Sequence, residues 1–125
     1  MPSETASVHN AEVAFCYTGK PKHIVSGSPF QTKKMIKMAE VVSGGKEEMK
    51  RRPPTAFNHT TISPLRIAAE ACDNAMLVAE AGLPNNLLVM VQQGATSPVS
   101  FAGSVAVNNA DFLAFNTLLQ CVNKG

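Results

Sequence analysis

At 125 residues, 45% of them hydrophobic, the chain is long enough for one domain with an ordinary core and too short for two. Its 11 basic and 9 acidic residues leave a net charge of +2, a balance too even to argue for nucleic acid. No apolar run approaches the roughly 20 residues that cross a bilayer, and the polar stretch from Met1 to Asn10 lacks a signal-peptide core, so the expectation is a cytoplasmic protein with no membrane association.

The chain opens on a stretch, Met1 to Val8, that reads as frayed, with the folded domain expected over residues 10–125. A helix is expected from Ala11 to Tyr17, ended by Gly19 and Pro21. Three similar units follow. A Ser-Pro pair recurs at Ser28-Pro29, Ser63-Pro64 and Ser97-Pro98, at intervals of 35 and 34 residues. Serine caps the free amides of a first helical turn and proline suits the first helical position, so each pair is expected to start a helix.

Upstream of the pairs lie three extended stretches, Lys22–Ser26, Thr55–His59 and Asn86–Gln92. The last contains a continuous apolar run, Leu87 to Val91, as in a strand covered on both faces. Downstream lie three apolar stripes at helical spacing: Met35, Met38, Ala39 and Val42; then Ala68, Cys72, Ala75, Met76 and Ala79; then Ala102, Val105, Ala106, Phe112, Leu113 and Leu119. Gly44-Gly45 ends the first helix, Gly82 with Pro84 the second. A short helix from Lys46 to Arg51 extends the first crossover until Pro53-Pro54, and its charges read as a solvated face.

Strands joined by helical crossovers are parallel, which gives an α/β fold of three consecutive βα units. A period near 35 residues suits a barrel of eight such units, which averages about 31 residues per unit. Three units cannot close a barrel. The expectation is therefore a partial (β/α)8 TIM barrel with two open strand edges and one uncovered face.

Ligands of such folds bind at the carboxyl ends of the strands. The residues there are polar: Asn58, His59, Thr60 and Thr61 after the second strand, and Gln92, Gln93, Gly94, Ala95 and Thr96 after the third. His59 is open to two readings, an acid–base group or a hydrogen-bonded loop histidine. His23, at the amino end of its strand, reads as structural. Gly94-Ala95-Thr96 reads as a tight turn before it reads as an anion cradle, since no phosphate-binding fingerprint accompanies it. Glu70, Asp73, Glu80 and Asp111 fall on helices and read as surface or capping groups. Cys16, Cys72 and Cys121 have no metal-ligand spacing and read as reduced core residues, so no metal site is expected.

The run Gly94-Ala95-Thr96-Ser97-Pro98-Val99-Ser100-Phe101-Ala102-Gly103, continued through Asn108-Asn109-Ala110-Asp111 and Leu113-Ala114, resembles the trimethylamine:corrinoid methyltransferase family. Gly19-Lys20-Pro21, Val42-Ser43-Gly44-Gly45 and Ile62-Ser63-Pro64-Leu65 are similar to its pattern in the same order. The resemblance implies a TIM-barrel enzyme that moves a methyl group from trimethylamine or a glycine betaine-type amine to the cobalt of a corrinoid. It implies that the corrinoid (cobalamin) is carried by a partner protein and not bound directly. Asn58, His59, Thr60, Gln92, Gln93, Gly94, Ala95 and Thr96 would then line the substrate and corrinoid face.

Asp111 stands where the family has glutamate, and Gln92-Gln93 replaces a more apolar approach to Gly94. Members of the family are several times longer, and the pyrrolysine of the trimethylamine enzymes would lie outside the matched stretch. The expectation is an internal piece, inactive alone, either the product of a truncated gene or one part of a split barrel with the remainder of the barrel as a second chain. The alternative is a non-catalytic α/β remnant that binds a partner or small ligand.

Overall fold

The computed structural model describes residues 3–124. Helix α1 (Ser3–Tyr17) leads into three units: strand β1 (Lys22–Ile24) with helix α2 (Pro29–Ser43) and a short α3 (Lys46–Arg51); strand β2 (Thr55–Thr60) with α4 (Ala69–Glu80); and strand β3 (Asn85–Leu88) with α5 (Phe101–Val122). The strands form one parallel sheet in the order β1-β2-β3. The fold is thus mixed α/β with consecutive strands adjacent, as the spacing predicts.

The register sorts the side chains into two faces, because a strand alternates sides at every residue. Ile24 pairs with Phe57, Phe57 with Asn85, and His59 with Leu87. That set is covered by helices. Phe57 and Ile24 are buried with Met35 and Ala39 of α2, Met49 of α3, Val78 of α4 and Ala11 and Phe15 of α1. Leu87 packs beside a second cluster of Ala75 and Ala79 from α4 with Phe115 and Leu119 from α5. Each of the large side chains stabilises the fold by about 1.5–3 kcal/mol through its burial. The opposite face carries His23 against Ala56, Asn58 against Asn86 and Thr60 against Leu88, and no helix covers it among the described residues.

The helix expected over Ala11–Tyr17 begins at Ser3, so residues expected to be frayed are helical from there; Met1 and Pro2 lie outside the described residues. Val8 packs on the core from this first half, which explains why the turn is held.

Only the first Ser-Pro pair caps a helix. Ser28 Oγ accepts from Gln31 N, with Pro29 as the first residue of α2. The other two pairs are consumed by tight turns. Ile62 N donates to Arg66 O at 2.8 Å across the Ser63-Pro64 turn, and Gly94 N donates to Ser97 O at 3.0 Å just before Pro98. Helix α4 then starts later, behind Ala68, and α5 starts behind Ser100, whose Oγ accepts from Gly103 N at 3.2 Å. The displaced hydroxyls are tied to α5 instead: Ser63 Oγ donates to Asp111 Oδ2 at 2.9 Å, and Ser97 Oγ lies 2.8 Å from Ser104 Oγ.

The third strand is shorter than the apolar run suggests, ending at Leu88 and not at Gln92. Beyond Thr60 and Leu88 the neighbouring strand has ended, apart from Thr61 N donating to Leu88 O, so Val89 to Val91 have nothing to pair with. The first strand likewise stops at Ile24 rather than Ser26, while the second gains Thr60.

The third helical stripe also differs. Ser104, Asp111, Phe115 and Leu119 are the buried residues of α5, whereas Ala102, Val105, Ala106, Phe112 and Leu113 are exposed. The helix is apolar on two sides, and periodicity cannot tell which of them meets this core. The cysteines are free but not core residues: Cys16 and Cys121 are exposed and Cys72 is half-buried. No helix among the described residues is long and apolar enough to cross a membrane.

Candidate functional site

A cleft of about 290 Å³ lies at the carboxyl ends of β1 and β2, lined by Val25, Ser26 and Gly27 from the first unit and Asn58, His59 and Thr60 from the second. Ala68, Glu70, Ala71 and Asn74 of α4 close one side and Leu88 of β3 another. Larger hollows exist elsewhere on the surface, but this one occupies the position where parallel βα folds hold their ligands.

Two separate polar networks border the cleft. Thr32 sits on the buried face of α2, where its Oγ1 lies 2.6 Å from Ser26 Oγ and donates to Asn74 Oδ1 at 2.9 Å. That bond ties α2 to α4 beneath the cleft, and Asn74 is only 3% exposed. On the open sheet face Asn86 Nδ2 donates to Asn58 Oδ1 at 2.9 Å, and His23 Nδ1 lies 3.2 Å from the same oxygen. One polar rung therefore crosses all three strands.

His59 is 5% exposed and lies on the helix-covered side of β2, with its ring edge-on to Phe115 at 6.3 Å between centroids. Its Nε2 and the Oδ1 of neighbouring Asn85 are both buried without a hydrogen-bond partner. Burial pushes the His59 pKa below the ordinary imidazole value, and the Asn85 side chain opposes that drop in part. The ring is thus a neutral group at neutral pH, reached from the cleft through its wall.

Asn58, His59 and Thr60 come together in the cleft, but Gln92, Gln93, Gly94, Ala95 and Thr96 do not line it. The latter form a turn closed on itself. The amides of Ala95, Thr96 and Ser97 converge on Gln92 O at 2.9–3.1 Å, and Gln92 N donates to Thr96 Oγ1 at 2.8 Å. With those N–H groups satisfied internally, and α5 beginning at Phe101, the turn presents no anion cradle. Gln93 Nε2 donates to Val99 O, pinning the turn to the entrance of α5.

Sequence reasoning missed Thr32, Asn74 and Asp111. Asp111, read as a surface or capping group, is 2% exposed and holds Ser63. The signal was present in each case: a small polar residue interrupts an apolar helical face, as Thr32 does before Met35 and Ala39, and Asn74 does beside Ala75 and Val78. No group of three or more His, Cys, Asp or Glu gathers in a way that could hold a metal ion among the described residues.

A sequentially ordered parallel sheet with a small polar cleft at its strand ends defines an α/β protein of the class that places chemistry on its βα loops. Within that class the chain belongs to the trimethylamine methyltransferase family, whose sequence model it matches over residues 1–125. It is 38% identical over 120 residues to a trimethylamine methyltransferase of Desulfitobacterium hafniense and 28% identical over 120 residues to a glycine betaine methyltransferase from another strain of that organism. It is 35% identical over 82 residues to a trimethylamine methyltransferase of Methanosarcina mazei. The matches cover 96%, 96% and 66% of this chain but 24%, 24% and 17% of those relatives. The chain thus spans about a quarter of the length of the first two relatives.

Proposed function

We propose that this chain supplies three consecutive βα units of a (β/α)8-barrel methyltransferase that takes a methyl group from a methylated amine, with a corrinoid protein as acceptor. The observation that carries the reading is the one-sided sheet. All three strands run in sequence order, helices cover the face of Phe57 and His59, and the face of Asn58 stays open. A doubly wound sheet covers both faces, whereas a barrel segment covers only its outside.

In this reading the open face is the barrel interior, and the cleft above β1 and β2 is one sector of the substrate pocket. Thr32, Ser26 and Asn74 fix the loop after β1 against α4, so the cleft is held rigid before substrate arrives. Val25, Leu88 and the apolar faces of Ala68 and Ala71 keep water from the methyl groups. Asn58 and Thr60 orient the polar part of the amine. The polar groups here are amides, hydroxyls, the His59 imidazole and one carboxylate, a set that fits a small organic substrate. The corrinoid on that partner would supply a cobalt nucleophile that takes the methyl group while the electron pair of the broken C–N bond stays on the departing amine.

The test is reconstitution. The chain is mixed with a polypeptide carrying the remaining βα units of a relative, a reduced corrinoid protein, and either trimethylamine or glycine betaine, and the cobalt absorption spectrum is followed. Methylation of the corrinoid in the mixture, with none from either polypeptide alone, is the expected result. A mixture that assembles and transfers no methyl group from any methylated amine would refute the reading.

A further inference from the structure

The two edges of the sheet are unlike. Strand β1 is three residues long, starts on Lys22 and follows Pro21, and short edges carrying proline and lysine resist further pairing. Strand β3, with the sequence Asn-Asn-Leu-Leu, has neither residue. Phe57 N donates to Pro84 O and Thr61 N to Leu88 O, so residues 84 and 88 turn their backbone groups toward β2. A strand alternates the direction of those groups at every residue. The N–H and C=O groups of Asn85, Leu87 and Val89 therefore point outward, with no partner among the described residues.

A hollow of about 520 Å³ follows that edge. It touches Asn85, Asn86 and Leu87 in succession, and since consecutive residues face opposite sides of a sheet, it wraps round the rim of the strand. Its far wall is the flank of α5 that carries Phe112, Asn116 and Leu119. Helix α4 packs on both β2 and β3, whereas α5 packs on β3 and overhangs the space beyond it. No charged side chain lines the hollow, so a charged occupant would lose its hydration and gain no opposite charge in return. Carboxamides, by contrast, pair readily with peptide groups, and Asn85 Oδ1 is a buried acceptor still without a donor.

We propose that the outer edge of β3 and the overhanging flank of α5 form a docking site for an extended segment, the strand of a further βα unit. That strand pairs with the backbone of Asn85, Leu87 and Val89 and lays its alternate apolar side chains on Leu87, Phe112 and Leu119. It runs parallel to β3, because α5 is a helix already folded back on the sheet, and a helical crossover brings in the next strand parallel. A second copy of this chain, presenting its own β3 about a twofold axis, would enter antiparallel instead. This chain spans 24% of its Desulfitobacterium hafniense relative, which leaves most of that protein to supply such a strand. The inference rests on the reading of this chain as part of a larger fold and not on the chemistry assigned to it.

Fluorescence anisotropy with a dye-labelled peptide tests it. The peptide has about 12 residues, one short loop and one strand, taken from directly after the stretch that this chain matches in the Desulfitobacterium hafniense trimethylamine methyltransferase. It is expected to bind at least tenfold tighter than a scrambled peptide of the same composition, and to slow hydrogen exchange at the amides of Leu87 and Val89 but not at those of β1. Val89→Pro removes one outward N–H beyond the ladder with β2, and Asn116→Lys brings a charge into the hollow. Each is expected to weaken the peptide severalfold in a folded chain. Of two peptides N-methylated at alternate residues, one is expected to lose binding and the other to keep it, since a docked strand uses one edge only. Binding no better than that of the scrambled peptide, equal effects of the two N-methylated sets, or indifference to both variants would overturn the docking site. So would dimers of the lone chain that protect the β3 amides and exclude the peptide, which would give the edge to a second copy. The methyltransfer reading, judged on the cobalt spectrum of the reconstituted mixture, would stand in each case.

Discussion

At His59, a buried neutral ring with an unpartnered Nε2 couples stability to pH. The folded state holds its proton less tightly than the unfolded chain, where imidazole titrates near 6.5. The stability this supports is fully present above about pH 6.5 and is lost as pH falls from there through the lower folded value, because the unfolded chain then binds the extra proton. Urea unfolding across pH 5 to 8 is expected to show that decline, and His59→Phe, which fits against Phe115 and removes the titration, is expected to flatten it. Asp111 makes a second residue-scale case. Ser63→Ala removes the hydrogen bond to a nearly inaccessible carboxylate and is expected to cost about 1.5–3 kcal/mol, checked by the same unfolding experiment. A Cβ at Gly103 would stand 2.8 Å from Pro98 Cβ and 2.8 Å from Ser100 Oγ. Gly103→Ala is therefore expected to destabilise by about 1–3 kcal/mol through a clash at the entry of α5.

Elements whose signals were local were legible from the residues alone. Gly44 ends α2 in the left-handed conformation, and the charged run Lys46–Arg51 forms its own short helix. What failed was decided by neighbours in space. Ser63 and Ser97 have the chemistry of helix caps, yet their hydroxyls find partners inside α5, Ser63 with Asp111 several elements on and Ser97 with Ser104 in the helix that follows it. Periodicity also misplaced the core face of α5, because Phe101, Val105, Phe112 and Leu113 make a second apolar side that stays exposed. In a barrel each outer helix touches a neighbour on both flanks, so on the proposed barrel reading that exposed side is the one a further unit would cover. The double substitution Val105→Lys with Phe112→Glu is accordingly expected to change the stability of the lone chain by no more than about 0.5 kcal/mol. The same pair is expected to abolish co-purification with a polypeptide carrying the following units.

For the molecule as a whole, the parallel α/β order and the strand-end location of polar residues could be read from the repeat of strand, turn and helix. The cleft itself was only half legible. Asn58, His59 and Thr60 meet there because one strand carries them, whereas Thr32 and Asn74 join from two helices through a bond that no local pattern encodes. The Gln92–Thr96 turn closes on itself beside an unpaired stretch of chain, since β3 has no neighbour past Leu88. On the proposed barrel reading, with Leu88 and Met90 exposed at that edge, the sheet is an interior surface turned outward. Size-exclusion chromatography with light scattering, on this chain alone and mixed with the remaining βα units of a relative, tests that most directly. Self-association of the lone 13.3 kDa chain and a stable one-to-one complex in the mixture are the expected results. A lone chain that stays monomeric and ignores those units would contradict the barrel reading.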